Sequence, residues 1–346
     1  MATCAVPASK LIANEATAPF RMRKSPLDSV PGNVRPRAMA APVRGVAIRG
    51  LELRDRLEKA RQQPDKVRTV VDKIKTDGLR PTLEAVFNKL GQPLPLGYCN
   101  VGKVVAVGKG VTEFSIGDRV ASNGNHAEFV CIPKNLVVKI PDNVTDEEAA
   151  FTVIGAIGLQ GIRLLQPTFG ETIVVVGLGV VGLLVAWLAS RIPGARVTAI
   201  DTNPERQAVA EQLGLTFSSE SAPDDHDLVI HASGHPSGLE TALGLAGQEA
   251  TIVEMSWYGD QLVSAPLGAA FHPRRLTLKS SQVGQIVPSR VPRWDYRKRL
   301  ALSLELLQDD ALDVLITGEC KFDDLPKSMA RILIDGRDTL CHRVVY

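Results

Sequence analysis

The stretch that most constrains the fold is a glycine-rich turn between two apolar runs. It consists of Gly177, Leu178, Gly179, Val180, Val181 and Gly182. In this G-x-G-x-x-G spacing the first glycine permits a tight turn, the second lets the backbone approach a diphosphate, and the third lets helix and strand pack closely. Asp201 ends the next predicted strand, nineteen residues beyond Gly182, where a carboxylate can accept both hydroxyls of an adenosine ribose. The combination predicts dinucleotide binding.

The predicted cofactor is NAD. Free N–H groups and the positive end of the helix dipole would face the diphosphate, whereas the carboxylate of Asp201 would repel the additional phosphate of NADP. A membrane span is one alternative, because residues 173–189 are seventeen uncharged and mostly apolar positions, which is close to a spanning length. The three glycines in that run disfavour a span. The other alternative is a glycine-rich strand of an unrelated α/β protein.

The chain is long enough for two domains, since 346 residues exceed the usual size of one hydrophobic core. From residue 173 onward apolar strands alternate with helices, which is typical of a parallel sheet covered on both faces. Between residues 97 and 141, shorter valine-rich runs separated by glycines predict a small antiparallel barrel or sandwich. Thr145 and Glu148 have capping-box spacing and predict a helix start. Further helices are predicted over 67–74, 83–90 and 295–308.

Composition excludes several classes of protein. The formal net charge is +2 and charged residues make up 23% of the chain, so no basic stripe for nucleic acid is expected. The five cysteines are widely scattered and form no C-x-x-C pair, which argues against disulfides and structural zinc and favours a reducing cytoplasm. The first 45 residues contain only Glu15 and Asp28 as acids. The same 45 residues contain few serines and no apolar signal core, so we interpret this segment as a poorly specified N-terminus. We expect no membrane partner.

The chain from about residue 90 to 346 resembles the medium-chain dehydrogenase/reductase superfamily, the group of alcohol, sorbitol and threonine dehydrogenases. The stretches "GYCNVGKVVAVGKGVTEFSIGDRV", "NHAEFV", "DEEAAF" and "LDVLITGECKF" are similar to motifs of that family. The resemblance implies an α/β fold, a Rossmann doubly wound parallel sheet plus a GroES-like β-rich substrate domain, and a homo-oligomer. The implied domain limits are a GroES-like substrate domain at 1–151 with a helical insert at 51–90, a Rossmann NAD-binding domain at 152–285, and a C-terminal return to the substrate domain at 286–346.

Four more cofactor contacts are predicted, at Ser233, Trp257, Gln282 and Arg343. Trp257 and Gln282 follow the fifth and sixth predicted strands, where a ligand crevice lies outside the carboxyl ends of a doubly wound sheet. The alternative for both side chains is that they seal the seam between domains. By the family resemblance, Arg343 stands where an arginine often contacts the pyrophosphate, and its alternative is a surface arginine.

The chain departs from the family at the catalytic zinc. The early C-x-S/T-D motif has no counterpart, the G-H-E slot reads Gly97-Tyr98-Cys99, and residues 152–158 offer no acid or thiol. No metal is therefore expected. A rearranged zinc site stays open as an alternative, with thiolate and imidazole ligands from Cys99, His126 and Cys131.

Without zinc, a side chain must carry the proton that leaves or enters with the hydride. Tyr98 is the first candidate, because a phenol with a pKa near 10 suits a proton donor. His126 is the second, because imidazole titrates near neutrality. The alternatives are that Tyr98 packs at the strand end and that His126 faces water.

Together these features predict an enzyme, an NAD-dependent oxidoreductase of the medium-chain type. It would interconvert an alcohol, such as a polyol, a sugar or a small alcohol, and a carbonyl without catalytic zinc. The alternatives are a zinc-dependent alcohol dehydrogenase, a reductase of enones or quinones, and a catalytically silent NAD-binding module. The expected partner is a small-molecule alcohol or carbonyl substrate.

Overall fold

The computed structural model describes the backbone of residues 2–14 together with residues 96–219, 223–259, 261–335 and 337–346. The chain divides into two compact units, one of Met1–Arg21, Leu96–Trp257 and Ser264–Tyr346, the other of Met22–Pro95 and Tyr258–Val263. All elements named below belong to the first unit. The helices predicted over 67–74 and 83–90 lie outside the described residues.

The regular elements follow one another along the chain with short connections after residue 96. The strands are β1 (Ala2–Asn14), β2 (Asn100–Val107), β3 (Arg119–Ser122), β4 (Phe129–Pro133), β5 (Val137–Lys139), β6 (Thr172–Val176), β7 (Arg196–Ile200), β8 (Thr216–Ser218), β9 (His226–His231), β10 (Ala246–Glu254), β11 (Thr277–Ser280), β12 (Ile316–Lys321) and β13 (Cys341–Val345). The α-helices are α1 (Asp146–Ala150), α2 (Thr152–Leu165), α3 (Val180–Ser190), α4 (Arg206–Gln212), α5 (Pro236–Leu245), α6 (Tyr296–Leu306) and α7 (Leu325–Ala330).

A six-stranded sheet forms in the order β11-β10-β9-β6-β7-β8. Every neighbouring pair in it is parallel, which confirms the Rossmann doubly wound sheet predicted from the alternation of strands and helices. The strand order reverses between β6 and β9, the first and fourth strands of this sheet. In such sheets a ligand crevice lies at that point, outside the carboxyl ends of the strands.

The second sheet has seven strands and mixed directions. The β2–β3 and β3–β5 pairs are antiparallel as predicted, but the prediction is wrong for β4, which pairs in parallel with β1. Parallel neighbours need a long connection, and the chain between Asn14 and Phe129 supplies one. From the C-terminal end, β12 and β13 join the same sheet. The domain limits predicted above, at 1–151, 152–285 and 286–346, stay a prediction.

Two predicted helix starts are confirmed. Thr145 and Glu148 form a complete capping box at α1, and Asp295 caps α6 by accepting a hydrogen bond from the Lys298 amide. The apolar run 173–189 is divided between β6, the glycine turn and α3. Among the described residues, no helix combines the length and the apolar character needed to cross a membrane.

Candidate dinucleotide-binding and active site

The glycine turn joins the end of β6 to the start of α3, and two of its glycines are required by close contacts. Gly177 has a φ of 98°, and a Cβ there would lie 2.4 Å from the Ser233 backbone. A Cβ at Gly182 would lie 1.8 Å from the carbonyl oxygen of Gly177. At Gly179 a Cβ would meet no atom within 4 Å. The first and third glycines therefore serve packing, and the second leaves its backbone open to a ligand.

The start of α3 offers its backbone amides at this turn. Gly179 precedes the helix, and no side-chain hydrogen bond caps it. The side chains of Leu178 and Leu183 are fully buried, which fixes the turn against the core. Helix N-termini bind anions through unpaired N–H groups and the helix dipole, so the turn has the geometry of a diphosphate site.

Asp201 follows β7 directly and lies beside the turn. Its Oδ2 accepts a hydrogen bond from the Leu178 amide at 2.6 Å, and its Oδ1 accepts one from the Asn203 amide at 2.7 Å. Both oxygens are thus oriented by backbone donors. The carboxylate retains lone pairs for ligand hydroxyls, since two oxygens can accept about four hydrogen bonds.

Arg206 follows this carboxylate by five residues, and it is buried. Its Nη2 donates to the carbonyl oxygens of Arg337 at 2.6 Å and Thr339 at 3.2 Å. Burial lowers the pKa of this guanidinium, while the charges of Asp201, Glu205 and Asp338 act in the opposite direction. The guanidinium therefore holds the C-terminal segment in place and is not turned outward to a ligand phosphate.

Three predicted contacts lie along the carboxyl edge of β9, β10 and β11. Ser233 is exposed and its backbone packs on Gly177. The indole of Trp257 is 86% exposed, and Gln282 is also exposed. The loop after Gln282 is held by Arg299, whose Nη2 donates to the Val283 carbonyl at 2.7 Å. The fold thus brings these predicted residues to one edge of the sheet.

Arg343 occupies a different environment from the predicted one. It lies on β13 and its guanidinium pairs with Glu147 at 2.6 Å and with Glu319. Two carboxylates already balance its charge. The predicted contact with a pyrophosphate gains no support from this arrangement.

Two polar residues that the sequence analysis missed, His231 and Glu254, lie at the ends of β9 and β10. His231 Nδ1 is 2.7 Å from Glu254 Oε2, and His231 Nε2 is 2.6 Å from Ser233 Oγ. Burial alone raises the pKa of Glu254, but hydrogen bonds from His231 and Ser256 outweigh it and hold the pKa below its ordinary value. The signal was present in the sequence, because each of two apolar strands ends in an ionisable residue.

The two predicted catalytic residues lie close to each other. The His126 amide donates to the Leu96 carbonyl at 2.7 Å, and the imidazole packs so near Gly97 that a Cβ there would lie 2.6 Å from Cδ2. Burial lowers the pKa of His126 to about 4, so the predicted titration near neutrality is wrong. The Tyr98 side chain is 44% exposed, which leaves its phenol accessible.

The zinc slot contains groups that do not suit the metal. Cys99 is 2% exposed and its Sγ donates a hydrogen bond to the Ala150 carbonyl, so it is a buried thiol. Burial raises the pKa of the Cys131 thiol, which disfavours the thiolate that zinc requires. In the part of the chain that the structure describes, no group of three or more His, Cys, Asp or Glu side chains could hold a metal ion. The described residues therefore do not fit the family's catalytic zinc.

Comparison with known proteins shows which families and enzymes this chain is similar to. A family model for the alcohol dehydrogenase GroES-like domain matches residues 73–142. The (R,R)-butanediol dehydrogenase of Bacillus subtilis is 26% identical, over 67% of this chain and 75% of that protein. Galactitol 1-phosphate 5-dehydrogenase of Escherichia coli K12 is 25% identical, over 69% of this chain and 81% of that protein. The chain is thus similar to zinc-type medium-chain alcohol dehydrogenases.

Solved structures of this superfamily share the fold. Galactitol-1-phosphate dehydrogenase from E. coli superposes with a TM-score of 0.63 at 22% identity, over 72% of this chain and 84% of that one. A zinc-binding dehydrogenase from Sinorhizobium meliloti bound to NADP gives 0.58 at 20% identity, over 68% and 80%. A dehydrogenase from E. coli CFT073 complexed with NADH gives 0.60 at 22% identity, over 72% and 83%. Superfamily members with this fold thus bind either nicotinamide dinucleotide.

The relatives within the superfamily are dehydrogenases of alcohols and polyols. Their agreement supports an oxidoreductase role for this chain. The Rossmann sheet and the GroES-like domain are the parts of the fold that the superfamily shares, and both were predicted from sequence.

Proposed function

We propose that the protein is an NAD-dependent oxidoreductase that interconverts an alcohol and a carbonyl on a polyol, a sugar or a small alcohol, without catalytic zinc. The observation that carries the proposal is the Asp201 carboxylate, hydrogen-bonded to the amide of Leu178 within the glycine turn. It joins an adenosine-ribose acceptor to a diphosphate turn in one constellation. The relatives' activity as dehydrogenases gives that constellation its chemical context.

The residues of the turn would hold the dinucleotide. The open backbone at Gly179 and the amides at the start of α3 would bind the diphosphate. The Asp201 carboxylate would accept the adenosine ribose hydroxyls. When bound, the nicotinamide supplies hydride acceptance or donation, and the protein contributes orientation and a proton path.

The preference for NAD over NADP rests on charge. A 2′-phosphate beside Asp201 would place two anions together without a cation to balance them. Arg206 cannot supply that cation in this arrangement, because its guanidinium is engaged by the carbonyls of Arg337 and Thr339. Both side chains therefore favour the dinucleotide without the extra phosphate.

Tyr98 is the proposed proton carrier for the alcohol or carbonyl oxygen. Its side chain is accessible, whereas His126 is a neutral imidazole at neutral pH because of its lowered pKa. A neutral imidazole accepts hydrogen bonds and orients a neighbour, but it is a weak base when its pKa is far below the working pH. The phenol is therefore the better donor of the two.

The test is a pair of titrations of the purified protein with NADH and NADPH, read by fluorescence and calorimetry. NADH is expected to bind at least about tenfold more tightly than NADPH. Asp201→Asn should reduce that ratio, mainly by weakening NADH. The matched control is Asp142→Asn, an exposed aspartate outside the turn, which should leave both affinities unchanged.

Turnover is then measured on a panel of alcohols and carbonyls. Substrate-dependent formation or loss of NADH supports the enzyme. Saturable NADH binding with no turnover on the whole panel would reject the enzymatic part and favour a silent NAD-binding module. Absence of NADH binding at millimolar ligand would reject the proposal entirely.

A further inference from the structure

His231 and Glu254 extend the predicted cofactor contact Ser233 into a chain of hydrogen bonds, and these two residues have none of the roles assigned so far. His231 and Glu254 are the last residues of β9 and β10 and face each other in the ladder. The imidazole is fully buried, and its two nitrogens lie 2.7 Å from Glu254 Oε2 and 2.6 Å from Ser233 Oγ. Both distances are short enough for strong hydrogen bonds from or to the buried imidazole.

The donors and acceptors in this chain can be assigned. An ionised carboxylate only accepts, so the hydrogen bond to Glu254 requires a proton on His231 Nδ1. Nε2 of the neutral ring is then an acceptor for the Ser233 hydroxyl proton at 2.6 Å, and it is the nearer of two acceptors, because the His235 carbonyl oxygen lies 3.3 Å from the same hydroxyl. The His235 amide donates to Ser233 Oγ at 3.1 Å. Ser233 is left with acceptor capacity toward the ligand side.

The backbone around the pair fixes it in place. A Cβ at Gly238, in the first turn of α5, would lie 2.3 Å from both His231 Nε2 and Ser233 Oγ. The Ser256 amide donates to Glu254 Oε1 at 2.7 Å. Close packing on one side and a backbone donor on the other restrict the rotamers of all three members. The hydroxyl is therefore preorganised before a ligand arrives.

A hydrolytic triad has the same order of groups, but the surroundings do not suit one. Acyl transfer needs free N–H donors for the oxyanion beside the serine. Here the Gly234 amide donates to Ser256 Oγ at 3.0 Å, and the His235 amide donates to Ser233 itself. Both nearby amides are already used, so the serine is better suited to binding than to nucleophilic attack.

The place of Ser233 in the sheet selects the part of the dinucleotide that it meets. Asp201 follows β7, on one side of β6, and Ser233 follows β9, on the other side. A dinucleotide with its diphosphate on the turn after β6 and its adenosine ribose at Asp201 must extend its second ribose toward β9.

We infer that His231 and Glu254 are positioning residues that hold the Ser233 hydroxyl as a hydrogen-bond acceptor for the ribose next to the nicotinamide. The inference rests on the proposed function, because it requires a nicotinamide dinucleotide on the glycine turn. His231 and Glu254 would thus affect ribose binding only through Ser233.

The test compares binding of NADH, ADP-ribose and ADP, because ADP lacks the second ribose. Ser233→Ala is expected to weaken NADH and ADP-ribose about fivefold to tenfold, the loss of one hydrogen bond, and to leave ADP unchanged. His231→Gln should produce a similar loss. In the double variant His231→Gln with Ser233→Ala, the losses should not multiply, because His231 acts through the serine. Ser237→Ala, in the first turn of α5, is the nearby serine control, with unchanged affinities expected.

Several results would overturn the inference. Losses that multiply in the double variant would mean a merely structural role for His231, as would equal weakening of ADP. If His231→Gln lowers the melting temperature too far for binding studies, Glu254→Gln takes its place, with the same non-multiplying result expected against Ser233→Ala. Wild-type protein that binds none of the three ligands would reject the proposed function, whereas wild-type binding with multiplying losses rejects only the positioning role.

Discussion

The glycine turn and the Tyr98–His126 region are both candidate parts of one active site, yet they are specified in different ways. In the turn, backbone contacts decide the residue type, as at Gly182, where a Cβ would lie 1.8 Å from a carbonyl oxygen. Around Tyr98, the proposed chemistry depends on the phenol of a residue that is 44% exposed. The proposed cofactor site is therefore constrained by backbone geometry, whereas the proposed proton transfer depends on individual side chains.

The largest effect on stability and NADH binding is expected from adding one methyl group to the turn. Gly182→Ala would force a Cβ against the Gly177 carbonyl, and a tightly packed turn cannot relax without losing its contacts. We expect destabilisation of about 3 kcal/mol, measured by urea unfolding, together with loss of NADH binding. Gly179→Ala is the matched control, because its Cβ meets no atom within 4 Å. It should keep the unfolding free energy within about 1 kcal/mol while weakening NADH, and equal destabilisation of the two variants would contradict the distinction.

The opposite behaviour is expected at Tyr98, where a change should affect chemistry and leave the cofactor alone. Tyr98→Phe removes only the hydroxyl of a side chain that is 44% exposed, so the fold should persist. If the phenol transfers the proton, kcat should fall about hundredfold, with the NADH dissociation constant unchanged. The measurement is steady-state kinetics on the best substrate of the panel. A kcat within about twofold of wild type would remove Tyr98 from the mechanism.

The sequence was most informative where the backbone imposes the structure. The spacing of Gly177, Gly179 and Gly182 with Asp201 predicted the turn, and the structure brings the Asp201 carboxylate to the Leu178 amide. The strand and helix alternation predicted the parallel sheet for the same reason, since periodicity reports backbone geometry.

Side-chain environments were harder to predict. The lowered pKa of His126 depends on burial against Gly97, a contact between residues far apart in the sequence. The ion pairs of Arg343 with Glu147 and Glu319 depend on a strand that returns from the C-terminus. The His231–Glu254 pair needed the register of β9 against β10. Each of these is set by tertiary contacts, which periodicity and spacing do not contain.

Acidification should lower the stability of the folded protein through His126, in the Tyr98–His126 region. Its folded pKa is about 4, below the ordinary 6.5, because burial disfavours the charged ring. The unfolded chain therefore binds a proton that the folded chain does not between these two values, so this contribution to stability is complete above about pH 6.5 and is lost as the pH falls toward 4. The expected loss is on the order of 3 kcal/mol.

Unfolding by urea at several pH values measures this effect. His126→Gln should flatten the dependence between about pH 4 and 6.5, since a glutamine does not titrate. Glu254 has a lowered pKa, so its own contribution is lost at lower pH, as the pH falls from its ordinary value through its folded value. An unchanged slope in His126→Gln would show that burial of this ring is not the source of the acid sensitivity.

The smallest expected effect comes from the helix that supports the Tyr98 region. In α1, the Thr145 hydroxyl accepts from the Glu148 amide at 3.2 Å, and the Thr145 amide donates to Glu148 Oε2 at 2.7 Å. The same helix ends at Ala150, whose carbonyl accepts from the Cys99 thiol. Thr145→Ala should lower the unfolding free energy by about 1 kcal/mol, and Thr145→Ser should restore most of it because a serine hydroxyl also caps. Because the hydrogen bond at the end of α1 goes to Cys99, just before β2, we expect NADH affinity to stay unchanged in both variants. A parallel loss of NADH affinity in Thr145→Ala would show that the two regions are coupled and that the cofactor half is not specified by its own backbone alone.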